Sequence, residues 1–324
     1  MNTTVDLIAI KELRKTLDQY LINTPLIRCY NLEERFSKKT RIFAKLEFLQ
    51  HTGTFKLRGA LASLLKLTNE ELLNGVTAVS AGNHAIAIAY ASKLLGVSAK
   101  VVMPKTSNKF RVESCQRLDA EVVFAADANA AFEMVQVIEN KENRIFIHPF
   151  EGMNIINGTA TLGYEICEQN SEMDAVIVPI GGGGLCAGLS SYIRGRLPSA
   201  EIYGVEPQYA NSINMSIKEN RPQKNIHVST IADSLAAPFA MPISFEFCRD
   251  NLTQSLLVSD DEISSAMNIL FEEMNLAVEP ACAVSTAALL GPLKDKLNDK
   301  NTVLIMCGSN IDWDTYKNNR KISI

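Results

Sequence analysis

The chain has 324 residues, 47% of them hydrophobic and 21% charged, enough for about two globular domains with ample core. Its formal net charge of −4 gives no electrostatic footprint for nucleic acid or an anionic membrane, and no apolar run reaches the roughly 18 residues of a membrane span. Seven scattered cysteines without a C-x-x-C pair fit neither a disulfide framework nor a structural zinc site, and the stretch MNTTVDLIAIKELRK lacks secretory-signal features, so a cytoplasmic location is expected.

In chain order, residues 5–21 read as an amphipathic helix with Leu7, Ile10, Leu13 and Leu17 at helical spacing. Thr24-Pro25-Leu26 is extended, and Ile42–Leu46 is a short strand. Leu57–Leu67 is helical, and Asn69–Asn74 is a polar turn. From there strands (Val76–Ser80, Ala99–Met103, Glu121–Phe124, Ile145–His148) alternate with helices (His84–Leu95, Asn108–Leu118, Ala128–Glu139). Such alternation with short connections predicts a parallel sheet covered by helices on both faces.

The second half repeats the style. Gly163–Gln169 is helical, Ala175–Ile180 is a buried parallel strand, and a helix over Leu185–Gly195 follows the run Gly181-Gly182-Gly183-Gly184. Glu201–Val205 and Thr302–Met306 are strands, and Asp260–Met274 and Ala281–Leu290 are helices. Residues 207–242 are loop-rich with short helices, and the last dozen residues form a polar tail. The fold class is therefore α/β, with a smaller unit over 49–147 set into a larger one built from 1–48 and 148–324.

Four stretches carry chemistry. Lys56 lies in AKLEFLQHTGTFKLRGA (44–60) among Phe55, Leu57, Gly53, Gly59 and Ala60. A surface charge is the ordinary role of a lysine, but apolar flanks can desolvate the amine and make it a Schiff-base nucleophile. The tetraglycine after a buried strand can point successive N–H groups at one anion, reinforced by the helix N-terminus, unless it serves only tight strand–helix packing. It is neither a GxGxxG fingerprint nor a P-loop. Ser80-Ala81-Gly82-Asn83-His84 lies where an open α/β sheet places ligand contacts. His84 there suits either packing or catalysis. Cys307 closes the last buried strand, as an inert small hydrophobe or as a group facing a cofactor.

Taken together and in order, TGTFKLRGA, SAGNHA, PIGGGGL, VEP, TIADSLA, VEPACA and CGSN resemble the threonine/serine ammonia-lyases (dehydratases) and serine racemases, fold-type II pyridoxal-phosphate enzymes with the tryptophan synthase β-like fold. The resemblance implies two doubly wound domains with mostly parallel sheets, and pyridoxal 5'-phosphate held as a Schiff base on Lys56 beside Phe55. It implies that Gly181, Gly182, Gly183, Gly184 and Leu185 bind the phosphate and that Asn83 meets the ring's 3-oxygen. Ser80, Ala81, Gly82 and His84 would clamp the substrate carboxylate, and Cys307 would stand beside the pyridine nitrogen.

A thiol there favours β-elimination over a longer-lived carbanion. The implied reaction converts L-threonine or L-serine to a 2-oxo acid and ammonia, with Lys56 as α-proton base, and relatives are commonly homodimers. Family racemases carry a serine where this chain has Ala81, so racemisation is disfavoured. Relatives' divalent-cation site maps onto Glu206 and the Ala210 carbonyl, but Ser212 replaces its second carboxylate. Ile86, Thr159 and Ser234 depart from the usual pattern, which leaves a bulkier substrate or threo-3-hydroxyaspartate open. A non-catalytic cofactor-binding protein is the more remote reading. With Trp313 to Ile324 after CGSN, no isoleucine feedback is expected.

Overall fold

The computed structural model describes residues 3–320. Among the described residues, ten strands form two sheets: β1 Leu26–Arg28, β2 Arg41–Leu46, β3 Val76–Val79, β4 Ala99–Pro104, β5 Glu121–Ala125, β6 Ile145–Phe146, β7 Ala175–Pro179, β8 Glu201–Pro207, β9 Gln254–Val258 and β10 Asn301–Met306. The larger sheet has the order β1-β2-β10-β7-β8-β9 and the smaller β5-β4-β3-β6. Every pairing is parallel except β1 with β2. The smaller sheet thus draws only on residues 76–146, while β2 and β10, far apart in the chain, pair as neighbours inside the larger one.

Parallel central strands must be apolar on both faces. The sequence supplies this: all five residues of β7 are buried, and so are Val303, Leu304, Ile305 and Met306 of β10. Helices cover both sheets, and close helix–helix approach depends on glycine. A Cβ on Gly158 would lie 2.5 Å from the carbonyl oxygen of Arg58 and 2.7 Å from Gly59 Cα. This lets the helix Met153–Gln169 press against the helix Lys56–Leu64 that begins at the key lysine.

Several expectations are corrected. Residues 69–74 form a helix rather than a turn, started by a reciprocal capping box in which Thr68 and Glu71 satisfy each other's backbone. The helix expected from Gly163 begins ten residues earlier, at Met153. Its low-propensity Asn and Gly residues are offset by packing. Helix Pro242–Asn251 and strand β9 occupy a region in which no strand was expected. The expected polar tail contains the helix Trp313–Asn319, capped by Asp312 accepting from Thr315 N. The final four residues, and residues 1–2 of the expected larger unit, lie outside the described residues.

Candidate active site

Strands β3, β7 and β10 end at one cavity, joined there by the loop that follows β2. The cavity has a volume of about 150 Å³. Lys56, Ser80, Ala81, Gly82, Asn83, His84, Gly181, Gly182, Gly183, Gly184, Leu185, Cys307 and Phe55 all line it. Residues spread over 250 positions of sequence therefore meet in one place.

Lys56 opens its helix, and the loop before it is tied to β10 by Phe55 N donating to the Cys307 carbonyl at 3.1 Å. Its Nζ donates to the Pro149 carbonyl at 2.5 Å and lies 5.2 Å from the Phe55 ring centroid. Burial pushes the ammonium down to about 8 from its ordinary 10.5, against the opposing pull of Cys307 and Glu279. About a tenth of the amine is thus neutral and nucleophilic at pH 7, far more than for an ordinary lysine.

The glycine run meets the same cavity. Gly183 has φ +96° and stands as the N-cap of the helix Gly184–Arg196, with no side-chain cap. Among the described residues, the N–H groups of Gly181 through Leu185 have no protein acceptor. Five unpartnered donors at the positive end of a 13-residue helix form an anion cradle. Side chains are sterically excluded here: a Cβ on Gly182 would sit 2.2 Å from Phe150 Cγ, and one on Gly184 2.5 Å from the Phe150 carbonyl oxygen. A desolvated lysine beside a phosphate-sized cradle fits an aldehyde cofactor bearing a phosphate.

Asn83 joins a buried polar network. Its amide donates to Glu279 Oε1 at 2.7 Å and Ser234 Oγ at 3.2 Å, and its oxygen accepts from Asn310 Nδ2 at 2.8 Å. Arg111 donates to Asp233 at 2.6 Å and to Glu279 at 3.3 Å. Burial raises Glu279 to about 7, only partly offset by Arg111 and the Asn83 and Ser234 hydrogen bonds. Sequence reading assigned no role to Glu279, Arg111 or Asp233. For Glu279 the signal was present, since VEPACA had been singled out as a motif. Asp233 lies in TIADSLA, likewise singled out, whereas Arg111 gave none, because its partners are 122 and 168 positions away.

His84 lines the cavity but its Nε2 pairs with the Ile147 carbonyl at 2.9 Å, and burial with the nearby Lys56 charge lowers it to about 3. The ring is neutral and engaged in packing. Ser80 Oγ accepts from Gly82 N at 3.0 Å, which shapes the loop. Cys307 is buried, and contact with the Cys282 thiol together with burial holds it protonated well above its ordinary value. Glu206 is spent elsewhere: its carboxylate accepts from Ile213 N at 2.9 Å and Asn214 N at 2.6 Å, capping the helix Ser212–Glu219. Burial pushes it up to about 8, so the Glu206–Ala210 pair offers a cation little charge.

Comparison with known proteins places these residues in context. The family model described as pyridoxal-phosphate dependent enzyme matches residues 17–308. Phenylserine dehydratase of Ralstonia pickettii is 46% identical over 97% of this chain and 96% of its own length. The catabolic L-threonine dehydratase of Escherichia coli K12 is 36% identical over 96% of each chain. Among solved structures, processed threonine deaminase isoform 2 from Solanum lycopersicum superposes with a TM-score of 0.92 at 30% identity, covering all of this chain and 96% of that one.

Proposed function

The chain belongs to the pyridoxal-phosphate dependent enzymes, and on that premise we propose that it is an ammonia-lyase performing deaminating β-elimination on 3-hydroxy amino acids, with apolar-substituted ones such as 3-phenylserine foremost and L-threonine and L-serine as smaller substrates. The observation that carries this reading is the desolvated Lys56 amine in one cavity with the five unpartnered N–H donors of Gly181–Leu185. Pyridoxal phosphate, when bound, supplies the electron sink that acidifies Cα and lets the 3-hydroxyl leave.

In this reading the chain's own residues divide the work. The Gly181–Leu185 N–H groups would hold the phosphate, and Asn83, fixed by Glu279 and Asn310, would stand beside the ring. The backbone of the Ser80–His84 loop holds the substrate carboxylate. Lys56, poised near pH 8, carries the cofactor and then takes the α-proton. Cys307, kept protonated, offers the pyridine nitrogen no negative charge, which suits elimination. The released enamine tautomerises and hydrolyses to a 2-oxo acid and ammonia. Ala81 carries no transferable proton, which supports a lyase over a racemase.

Charge narrows the substrate. Of the cavity-lining residues Lys56 and Arg111 are cationic, and Arg111 is already paired with Asp233 and Glu279. A second substrate carboxylate would find no spare cation, which disfavours 3-hydroxyaspartate. Sheet membership supports the 49–147 unit as a domain. Among the described residues no helix is long and apolar enough to cross a membrane. A cytoplasmic homodimer belongs to this reading; the seven free, buried thiols support a reducing compartment, and family habit supports the dimer.

The test is 2-oxo acid release by cofactor-loaded protein from L-threo-3-phenylserine, L-threonine, L-serine and L-threo-3-hydroxyaspartate. The highest kcat/KM is expected for phenylserine and the lowest for hydroxyaspartate. Release from none of them would refute the lyase, and a preference for hydroxyaspartate would refute the substrate assignment.

A further inference from the structure

Two of an amino acid's groups are spoken for in the proposed pose, the amine by the Lys56 side of the cavity and the carboxylate by the Ser80–His84 loop. The remaining lining includes an apolar wall of Ala128, Phe132, Phe150, Leu235 and Pro238, which suits an apolar 3-substituent. Behind that wall lies a closed circuit of four rings. Phe132 meets Phe239 at 5.0 Å between centroids, Phe239 meets Phe150 at 6.3 Å, Phe150 meets His148 edge-on at 4.6 Å, and His148 returns to Phe132 at 5.7 Å. His148 is lowered to about 3 by burial and by the Lys56 charge, so the circuit is uncharged.

The circuit is also held in place. Phe150 packs against Gly182 of the anion cradle, next to the Pro149 carbonyl that receives Lys56. His148 Nδ1 accepts from Glu151 N at 3.0 Å and Phe150 N at 3.3 Å. Phe239 sits on a segment pinned on both sides, by Asn225 N donating to the Pro238 carbonyl and Ala240 N donating to the Gln223 carbonyl, each at 2.9 Å. Phe132 comes from the helix Ala128–Glu142 over the smaller sheet, whereas Phe239 belongs to the larger unit, so this contact spans the two. A methyl or hydrogen substituent would leave such a wall largely untouched; an aromatic ring would complete edge or offset contacts with it.

We propose that Phe132, backed by Phe239, is the specificity-determining wall that selects an aryl 3-substituent over a methyl one. This rests on the lyase reading above. The experiment compares kcat/KM for L-threo-3-phenylserine and L-threonine in the cofactor-loaded wild type, Phe132→Ala, Phe239→Ala and Phe132→Leu. Alongside, calorimetry gives the affinity of L-phenylalanine, which has the ring but no 3-hydroxyl. The aryl-to-methyl preference is expected to fall about ten- to hundredfold in the alanine variants and less in Phe132→Leu, with L-phenylalanine affinity falling in parallel. Phe132→Leu keeps most of the volume and carries the test if an alanine variant does not fold. Equal losses on both substrates, with L-phenylalanine affinity unmoved, would overturn the assignment while leaving the lyase intact. A wild type that processes threonine but not phenylserine would overturn the substrate reading and this wall with it.

Discussion

Replacing Glu165 by Gln is expected to remove about 3–5 kcal/mol of stability, the range for breaking a buried ion pair. Glu165 is 3% exposed and its two oxygens accept four hydrogen bonds from cations. Arg14 Nε at 2.5 Å and Arg58 Nη1 at 2.8 Å share one oxygen; Lys45 Nζ at 2.7 Å and Arg58 Nη2 at 2.9 Å share the other. A glutamine keeps one acceptor oxygen and turns an NH2 toward two donors. Two charge-assisted bonds are lost at about 1.5–3 kcal/mol each, about 3–6 kcal/mol together, which overlaps that range. Lys45, already depressed by burial, then retains only Thr24 O and Gln169 Oε1. Paired urea denaturation curves measure the loss. The pH dependence has a definite sign: the cations hold the Glu165 carboxyl below its ordinary value, so its contribution is present above that value and lost on acidification below it. The gap between wild type and variant therefore narrows as pH falls through the ordinary carboxylate range and beyond. A loss under about 1 kcal/mol would mean that the cluster is screened by solvent, and would refute the reasoning.

Other expectations follow from the same contacts. Uptake of pyridoxal phosphate by apoprotein needs the neutral Lys56 amine, so its rate should rise with pH to a midpoint near 8; a midpoint near the ordinary 10.5 would count against a desolvated lysine. Gly158→Ala drives a Cβ into the Arg58 carbonyl at 2.5 Å, and should cost about 1–3 kcal/mol in urea unfolding with an unchanged m-value, whereas a neutral result would mean that the two helices part easily. Glu279, raised to about 7 from 4.5 by burial, binds a proton in the fold that it has released in the unfolded chain over that interval. Wild-type stability relative to Glu279→Gln should accordingly fall as pH rises across it; a flat difference would show that the carboxylate is solvated.

The sequence told most where chemistry and local pattern coincide. Lys56 between Phe55 and Leu57, four glycines after AVIVP, and strands such as VVM and TVLIM carry their meaning within a few residues. What escaped depends on partners distant in the chain. Glu165 and Glu47 look like ordinary helix and loop charges until folding brings Arg58 between them, 107 and 11 positions away. Phe132 and Phe239 sit in unremarkable stretches and acquire a role only across the cavity. Helix starts were misread for local reasons. Glycines at 158 and 163 depress propensity, yet they are what allows close helix contact, and packing outweighs propensity. The Thr68–Glu71 capping box was a readable signal that polar composition obscured.

The central claim is that Lys56 holds the cofactor and does the chemistry. Borohydride reduction of the cofactor-loaded protein, followed by digestion and peptide mass mapping, tests it most directly. The account predicts one phosphopyridoxyl group, on the peptide carrying Lys56, and loss of that label together with 2-oxo acid release in Lys56→Ala. A label on another lysine, or catalysis that survives in Lys56→Ala, would contradict it.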